Sequence, residues 1–315
     1  MEQTTLYRKY RPNCFANVVG QKPIIKTLQN SISSDSFFHS YIFFGNHGCG
    51  KTSIARIFAK ALNCIQPIDN DCCNKCENCL NSNNSLDIIE IDAASNSGVD
   101  EIRKIIENVD YLPIKLKKKI YIIDEAHMLS NSAWNALLKT IEEPPEHVIF
   151  IFATTEINKI PMTIMSRCQR FDFVRLDSSE INNLLDYVCQ QEGILISNDA
   201  KYKINILSNG SARDCLSILQ QISDYTNKSI TIEAINEIFG FLNLDEKIDF
   251  INLFKTNPTS IISKLSSLKT NYLNFASDLI EIIMDKLVYL YTNDANLLKV
   301  LTISNIYKID LDESM

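Results

Sequence analysis

The chain has 315 residues, 45% hydrophobic and 22% charged, with a formal net charge of -7. That composition is too apolar for a disordered chain, and the length suggests two or three domains, each able to bury a core. No apolar run approaches the roughly 18 residues that a membrane span needs, and the N-terminus lacks a signal-type apolar stretch. The expected compartment is the cytoplasm, with no membrane partner.

The charge is uneven. Residues 1–60 hold eight bases and two acids, a local +6, so the negative total excludes a uniformly basic coat but not a positive site that meets phosphates. Glycine is scarce, with eight in the chain. Three of them, Gly45, Gly48 and Gly50, fall within six residues. Tyr41-Ile42-Phe43-Phe44 before them reads as a buried strand, and Thr52 to Leu62 after them has helical apolar spacing. Gly45-Asn46-His47-Gly48-Cys49-Gly50-Lys51-Thr52 fits G-x-x-x-x-G-K-[ST] in the strand–loop–helix setting that a phosphate loop requires. The glycines let backbone N–H groups approach a phosphate, aided by the positive end of the helix. Lys51 is expected to reach the β- and γ-phosphates, and the Thr52 hydroxyl to ligate Mg²⁺.

Five of the ten cysteines lie between Cys64 and Cys79. Cys64, Cys73, Cys76 and Cys79 form C-x₈-C-x₂-C-x₂-C, and four thiolates so spaced suit a closed tetrahedral structural site. Thiolates alone do not decide between zinc and an iron–sulfur cluster. Cys72 reads as a bystander, and Cys14, Cys168, Cys189 and Cys215 as packing residues.

Strands and helices then alternate: a strand at Leu86–Ile91, a helix near Gly98 to Asp110, and a strand at Lys119–Asp124. A helix from Ser130 to Glu142 and a strand from His147 to Ala153 follow. The alternation implies a parallel sheet with helices on both faces. Asp124 and Glu125 close one strand at the edge where ligands bind in such folds. Asp124 is expected to help hold Mg²⁺ through water, and Glu125 to orient and polarise the attacking water. Asp124-Glu125-Ala126-His127 also spells a helicase box. That class needs a second motor domain, and the roughly 140 residues after 176 read as helical instead. Thr155, closing the next strand, suits either a γ-phosphate contact or a turn. Ser95-Asn96-Ser97-Gly98 suits either a helix cap at Ser97 or a contact to a nucleic-acid backbone.

After Phe173 strands are expected to cease. Asp177-Ser178-Ser179-Glu180 opens a helix, with its serines placed to cap it. Domain boundaries fall near 176 and 242, giving units 1–176, 177–242 and 243–315.

These strings together resemble one family. Tyr10-Arg11-Pro12 with Phe15, Val18-Val19-Gly20-Gln21, the phosphate loop and Glu90-Ile91-Asp92-Ala93-Ala94-Ser95 come first. Asp124 to Leu129, Asn135 to Pro145, Ser166-Arg167-Cys168 and Gly210-Ser211-Ala212-Arg213-Asp214 follow in order. From Tyr7 to about Gly240 the chain resembles the AAA+ clamp-loader ATPases, among them the gamma/tau subunits of bacterial DNA polymerase III. The resemblance implies a P-loop parallel α/β sheet, then a helical lid and an all-α collar shorter than is usual in the family. It implies an ATP-hydrolysing motor that opens a sliding clamp and loads it on primer-template DNA. Copies of itself with delta and delta-prime subunits would form a pentamer.

The family pattern also implies roles for individual residues. Thr155 takes the sensor-1 position, Arg167 that of an arginine finger acting in trans, and Arg213 that of sensor 2. Arg11, Pro12, Val18 and Val19 would wall the adenine pocket, with Ser53 among the binding residues. The four cysteines would hold Zn²⁺. Asn46, His47 and Cys49 depart from the commoner loop string, and Cys49 beside the phosphates suggests sensitivity to oxidants. Two other readings are a delta-prime-like structural subunit and another AAA+ DNA-repair ATPase, such as a branch-migration motor.

Overall fold

The computed structural model describes residues 5–96, 98–267 and 272–310. The chain divides into two compact units, one of residues 1–193 and 201–221, the other of 194–200 and 222–315.

In the first unit, α1 (Leu6–Lys9) and α2 (Lys22–Ser33) precede β1 (Ser40–Phe44), and α3 (Lys51–Leu62) follows it. The cysteine-rich stretch contributes only the single turn α4 (Glu77–Leu80). Then come β2 (Ile88–Asp92), α5 (Val99–Val109), β3 (Lys119–Asp124), α6 (Asn131–Glu142) and β4 (Val148–Thr154). The short α7 (Met162–Met165), β5 (Gln169–Asp172) and α8 (Ser178–Glu192) close the series.

The five strands form one parallel sheet in the order β2-β3-β4-β1-β5. Every residue of β4 is buried, as are the first five of β3. Such continuous apolar strands follow from helices covering both faces. Alternation along the strands sorts the core into two layers. Tyr41, Phe43, Ile120, Ile122, Ile149 and Ile151 pack with Leu28, Ile54 and Phe58 from α2 and α3. Ile42, Tyr121, Ile123, Phe150 and Phe152 pack with Ile102, Trp134 and Leu137 from α5 and α6.

Local chemistry sets the helix ends. Ser130 Oγ accepts the Ala133 N–H at 3.2 Å and starts α6. At α8 the cap is Asp177 rather than the serines: Asp177 Oδ1 accepts the Glu180 N–H, and Glu180 returns the bond to the Asp177 N–H. A carboxylate at that position also favours the positive helix end, which explains why it outcompetes the hydroxyls. Ser97 lies outside the described residues.

α9 (Asn198–Ser208) and α10 (Ala212–Thr226) each carry residues of both units. The second unit holds β6 (Leu195–Ile196), β7 (Ser229–Ile230), α11 (Ile232–Phe239), α12 (Leu244–Thr256), α13 (Ser260–Ser267), α14 (Tyr272–Thr292) and α15 (Ile303–Ile306). Strands therefore do not cease after Phe173: β6 and β7 form a small parallel pair. Two residues per strand leave no alternation for a sequence reading to detect. Ile248, Ile251, Ile282, Leu301, Ile306 and Ile309 form the core of this unit. The buried carboxylate of Asp285 accepts the N–H groups of Lys299, Val300 and Leu301.

Candidate nucleotide site and cysteine cluster

The carboxyl ends of β1, β4 and β3 lie side by side, so the loops leaving them share one edge. After β1 the chain turns through the glycine loop, whose Gly45 N–H donates to the Thr154 carbonyl at 3.2 Å. Gly48 sits at φ +72°, where a Cβ would come within 2.0 Å of Ser211 Oγ. Gly50, at φ +100°, turns the backbone into α3, a conformation costly for residues with a side chain. The Lys51 side chain folds back along the loop. Its Nζ donates to the carbonyls of Gly45 and Asn46, both at 2.8 Å, and the residue is buried.

Thr52 Oγ1 donates to Asp124 Oδ2 at 2.8 Å, joining the start of α3 to the end of β3. Asp124 Oδ1 accepts the Glu125 N–H at 3.0 Å. Glu125 itself adopts a left-handed backbone (φ 48°) that turns it out of the strand. Thr155 Oγ1 lies 3.5 Å from Glu125 Oε2, and His47 Nδ1 lies 3.4 Å from Glu125 Oε1. The mostly buried His127 brings Nδ1 to 3.2 Å from Thr154 Oγ1 and 3.5 Å from Glu125 Oε2.

A cavity of about 620 Å³ opens on this edge. It brings together Arg11, Pro12, Val18, Val19, Gly48, Gly50, Lys51, Thr52, Ser53, Asp124, Glu125 and Arg213 from the sequence-derived set. Arg11 Nε donates to Ser53 Oγ at 3.1 Å, and the Arg213 guanidinium lies 5.1 Å from the centre of the Tyr7 ring. Gly45 stands at the foot of the loop rather than on the cavity wall, and Thr155 reaches the site through Glu125. Arg167 is elsewhere. It is half exposed, with Nη2 at 2.7 Å from Glu142 Oε1 and Nη1 donating to the Thr163 carbonyl at 2.6 Å.

The sequence reading gave no role at this site to Tyr7, Arg56 or His127. It quoted His127 and Gln21 only within strings. The Gln21 amide is buried and bonds both the carbonyl (2.6 Å) and the N–H (3.3 Å) of Val174. Arg56, on the cavity wall, pairs through two nitrogens with the Glu90 carboxylate. These contacts span long sequence separations and leave no local spacing signal. Cys49 is buried, and its Sγ donates to the Asn46 carbonyl at 2.9 Å. Burial pushes its thiol up, which disfavours the thiolate that oxidants attack and runs against the expected sensitivity.

The four predicted cysteines converge just beyond the far end of α3. The Sγ atoms of Cys64, Cys73, Cys76 and Cys79 all lie within 4.8 Å of one another. Cys64 and Cys76 are separated by 4.0 Å, and Cys73 and Cys79 by 3.9 Å. A tetrahedron with metal–sulfur bonds of about 2.3 Å has edges of roughly 3.8 Å, so four thiolates here fit one such ion. The Cys73 and Cys76 N–H groups point at the sulfurs of Cys64 (3.4 Å) and Cys73 (3.3 Å). Cys72 turns away, its Sγ donating to the Asn13 carbonyl at 3.2 Å.

With its phosphate loop on a strand inside the sheet and its acidic pair two strands away, the chain has the fold of AAA+ P-loop proteins. That fold is shared with the RuvB Holliday junction branch migration motor of Thermotoga maritima. The TM-score is 0.57 at 16% identity, covering 83% of this chain and 86% of that one. Sequence similarity is more specific. The chain is 43% identical over 301 residues to DNA polymerase III subunit gamma/tau of Mycoplasma pneumoniae, covering 93% of this chain and 44% of that protein. It is 38% identical over 298 residues to the gamma subunit of Buchnera aphidicola subsp. Acyrthosiphon pisum, covering 92% of this chain and 80% of that protein. A family model described as "DNA polymerase III, delta subunit" matches residues 20–177. The chain belongs to the DNA polymerase III gamma/tau family. It spans less than half the length of the Mycoplasma relative. No helix among the described residues is long and apolar enough to cross a membrane.

Proposed function

We propose that the chain is an ATP-hydrolysing motor subunit of a bacterial clamp loader. The observation that carries this reading is the contact between Thr52 and Asp124, with Lys51 folded along the same loop and Glu125 next in the chain. One hydroxyl and one carboxylate within 2.8 Å are the pair that a nucleotide-bound Mg²⁺ requires. Mg²⁺, when bound, neutralises charge on the β- and γ-phosphates.

The chain's own residues do the rest. Loop N–H groups and the Lys51 ammonium hold the phosphates, while Arg11, Pro12, Val18 and Val19 wall the base. Ser53 fixes the Arg11 side chain. Glu125 orients the attacking water, and Thr155 and His127 hold the Glu125 carboxylate. Arg213 reads the bound nucleotide from the lid. Arg167, outside this chain's own cavity, serves the nucleotide of a neighbouring subunit. The four cysteines hold Zn²⁺ as a closed structural site, since all-thiolate tetrahedral sets favour it.

On this reading residues 1–176 form the motor with its zinc module at 64–79, 177–242 the lid and 243–315 the collar. The partners are copies of the chain, delta and delta-prime subunits, the sliding clamp and primer-template DNA, in the cytoplasm.

The family model's delta-subunit description favours a second reading, a structural subunit that does not hydrolyse ATP. The intact Lys51, Thr52 and Glu125 favour the motor. Replacing Arg167 with Ala tests the proposal in the assembled complex. ATP binding is expected to persist, while DNA-stimulated hydrolysis falls by about 10³-fold or more, the range seen for arginine fingers elsewhere. Normal turnover would remove the trans role.

A further inference from the structure

The wall of the nucleotide cavity is tied to the cysteine cluster. Arg11, Pro12, Val18 and Val19 line the cavity, and residues 13–17 between them are held against the stretch that carries the cysteines. The Ala16 N–H donates to Asp71 Oδ2 at 3.0 Å. The Asn13 carbonyl accepts from Cys72 Sγ at 3.2 Å and also from Lys60 Nζ. Lys60, on α3, donates in addition to Asn74 Oδ1 at 2.6 Å. Phe15, 2% exposed, packs in the same apolar cluster as Cys64, Cys72 and Cys79. Asp71, Cys72 and Asn74 thus flank Cys73, the second cysteine of the set. Asp71 is itself buried, its Oδ1 fixed by the Cys72 N–H at 2.7 Å.

We infer that occupancy of the cysteine cluster by its metal positions the wall of the nucleotide cavity, with Asp71 and Lys60 as the positioning residues that transmit it. The inference rests on the nucleotide and metal readings proposed above.

The physical reason lies in what else holds the wall. Residues 10–18 contain no strand and no α-helix, only a single 3-10 turn at Phe15–Asn17. Tyr10 is held separately by Glu192 at 2.6 Å and Arg11 by Ser53 at 3.1 Å, but the path of residues 13–17 follows the anchors just named. Asp71, Cys72 and Asn74 belong to a stretch whose turns close when four thiolates share one ion, with Lys60 on α3 bridging Asn74 to Asn13, so metal binding and local order are coupled. Losing the ion frees Asp71 and Asn74, and the wall then samples conformations that do not receive the base. Apparent affinity falls in proportion to the fraction of competent molecules. Lys51, Thr52, Asp124 and Glu125 are placed by the loop, α3 and β3 instead. Once nucleotide is bound, the chemical step is therefore expected to proceed at its usual rate. This split between affinity and turnover distinguishes a positioning link from general loosening of the fold.

The test uses the full chain purified with its metal, Asp71→Asn, Lys60→Met and Cys79→Ser variants, and a fluorescent ATP analogue. Asp71→Asn keeps side-chain shape but leaves one acceptor oxygen for the Ala16 and Cys72 N–H groups, which Asp71 accepts with two. Lys60→Met keeps the apolar stem and removes the ammonium. The second variant guards against misfolding of the first. Both are expected to retain metal, to bind the analogue about 5–20-fold more weakly, and to keep kcat at saturating ATP within about twofold. Cys79→Ser is expected to lose metal and show a similar loss of affinity, with faster amide exchange at residues 13–18. Wild-type affinity in metal-loaded Asp71→Asn and Lys60→Met overturns the inference alone. Failure of the unmodified chain to bind the analogue overturns the nucleotide reading with it. Nucleotide binding by a wild-type chain that takes up no metal overturns the metal reading with it.

Discussion

The phosphate loop and the cysteine cluster stand at opposite ends of α3, and different forces hold them. The loop is fixed by the sheet through the Gly45 bond to Thr154 and the Thr52 bond to Asp124. Beneath it lie Tyr41, Phe43, Ile54 and Phe58, all fully buried. The cluster has one helical turn and an isolated bridge between Ile68 and Asp71. Ile65, Ile68 and Leu80 are more than half exposed, and much of the local core consists of the cysteines themselves. A segment with so little apolar burial gains order from its ligand, whereas a loop on a packed sheet is ordered before its ligand arrives. On the proposed metal reading, the difference places order in the fold at one end of α3 and in an ion at the other.

Chelation should give the largest effect. Structural zinc contributes on the order of 10–16 kcal/mol in small zinc-dependent peptides, far above the worth of any single bond here. After metal removal, amide protection is expected to vanish across residues 64–82 and to persist in β1, β3 and β4. Hydrogen exchange read by mass spectrometry checks this. Equal loss in both regions would dissolve the contrast.

An intermediate effect is expected at Asp87, whose order owes nothing to a metal. Its buried carboxylate accepts the N–H groups of Ile114, Lys115 and Leu116 at 2.8, 2.8 and 3.0 Å. Burial alone would raise its pKa, but those donors and the Lys119 charge outweigh it and hold the carboxyl below its ordinary value. Removing the carboxylate leaves three inward-facing donors, so Asp87→Ala is expected to cost about 1–3 kcal/mol in urea unfolding. The wild-type advantage is complete above the ordinary carboxylate pKa and disappears as pH falls through the lower folded value. A variant whose deficit is the same at pH 3 and pH 7 would contradict this.

The smallest effect belongs to Cys72→Ser. Cys72 faces Asn13 rather than the other sulfurs, and a hydroxyl can still donate to the same carbonyl. Metal content measured by atomic absorption is expected to stay at wild-type stoichiometry, with less than about 1 kcal/mol change in stability. Loss of the ion would make Cys72 a ligand and redraw the cluster.

The same contrast explains what could be read before the structure. The phosphate loop, the acids ending β3 and the C-x₂-C turns depend on residues within a few positions of one another, so their spacing carries the geometry. The burial of β3 and β4 was legible for the same reason, as continuous apolar runs. Gln21, Tyr7 and Arg56 act through partners 34 to 206 positions away, and His127 joins Glu125 to Thr154, 27 positions on, so composition and period carry no trace of them. The two-residue strands β6 and β7 were too short to register. The exchange of the expected serine cap for Asp177 reflects a competition between adjacent capping residues that only geometry resolves.

The central claim is that the edge shared by β1, β3 and β4 binds ATP and hydrolyses it through Glu125. Glu125→Gln keeps the side-chain shape and removes the base, and comparing ATP binding with single-turnover hydrolysis in this variant tests the claim most directly. Binding is expected to match the wild type while hydrolysis falls by about 10²–10⁴-fold. Undiminished hydrolysis in a variant that binds ATP normally would contradict it.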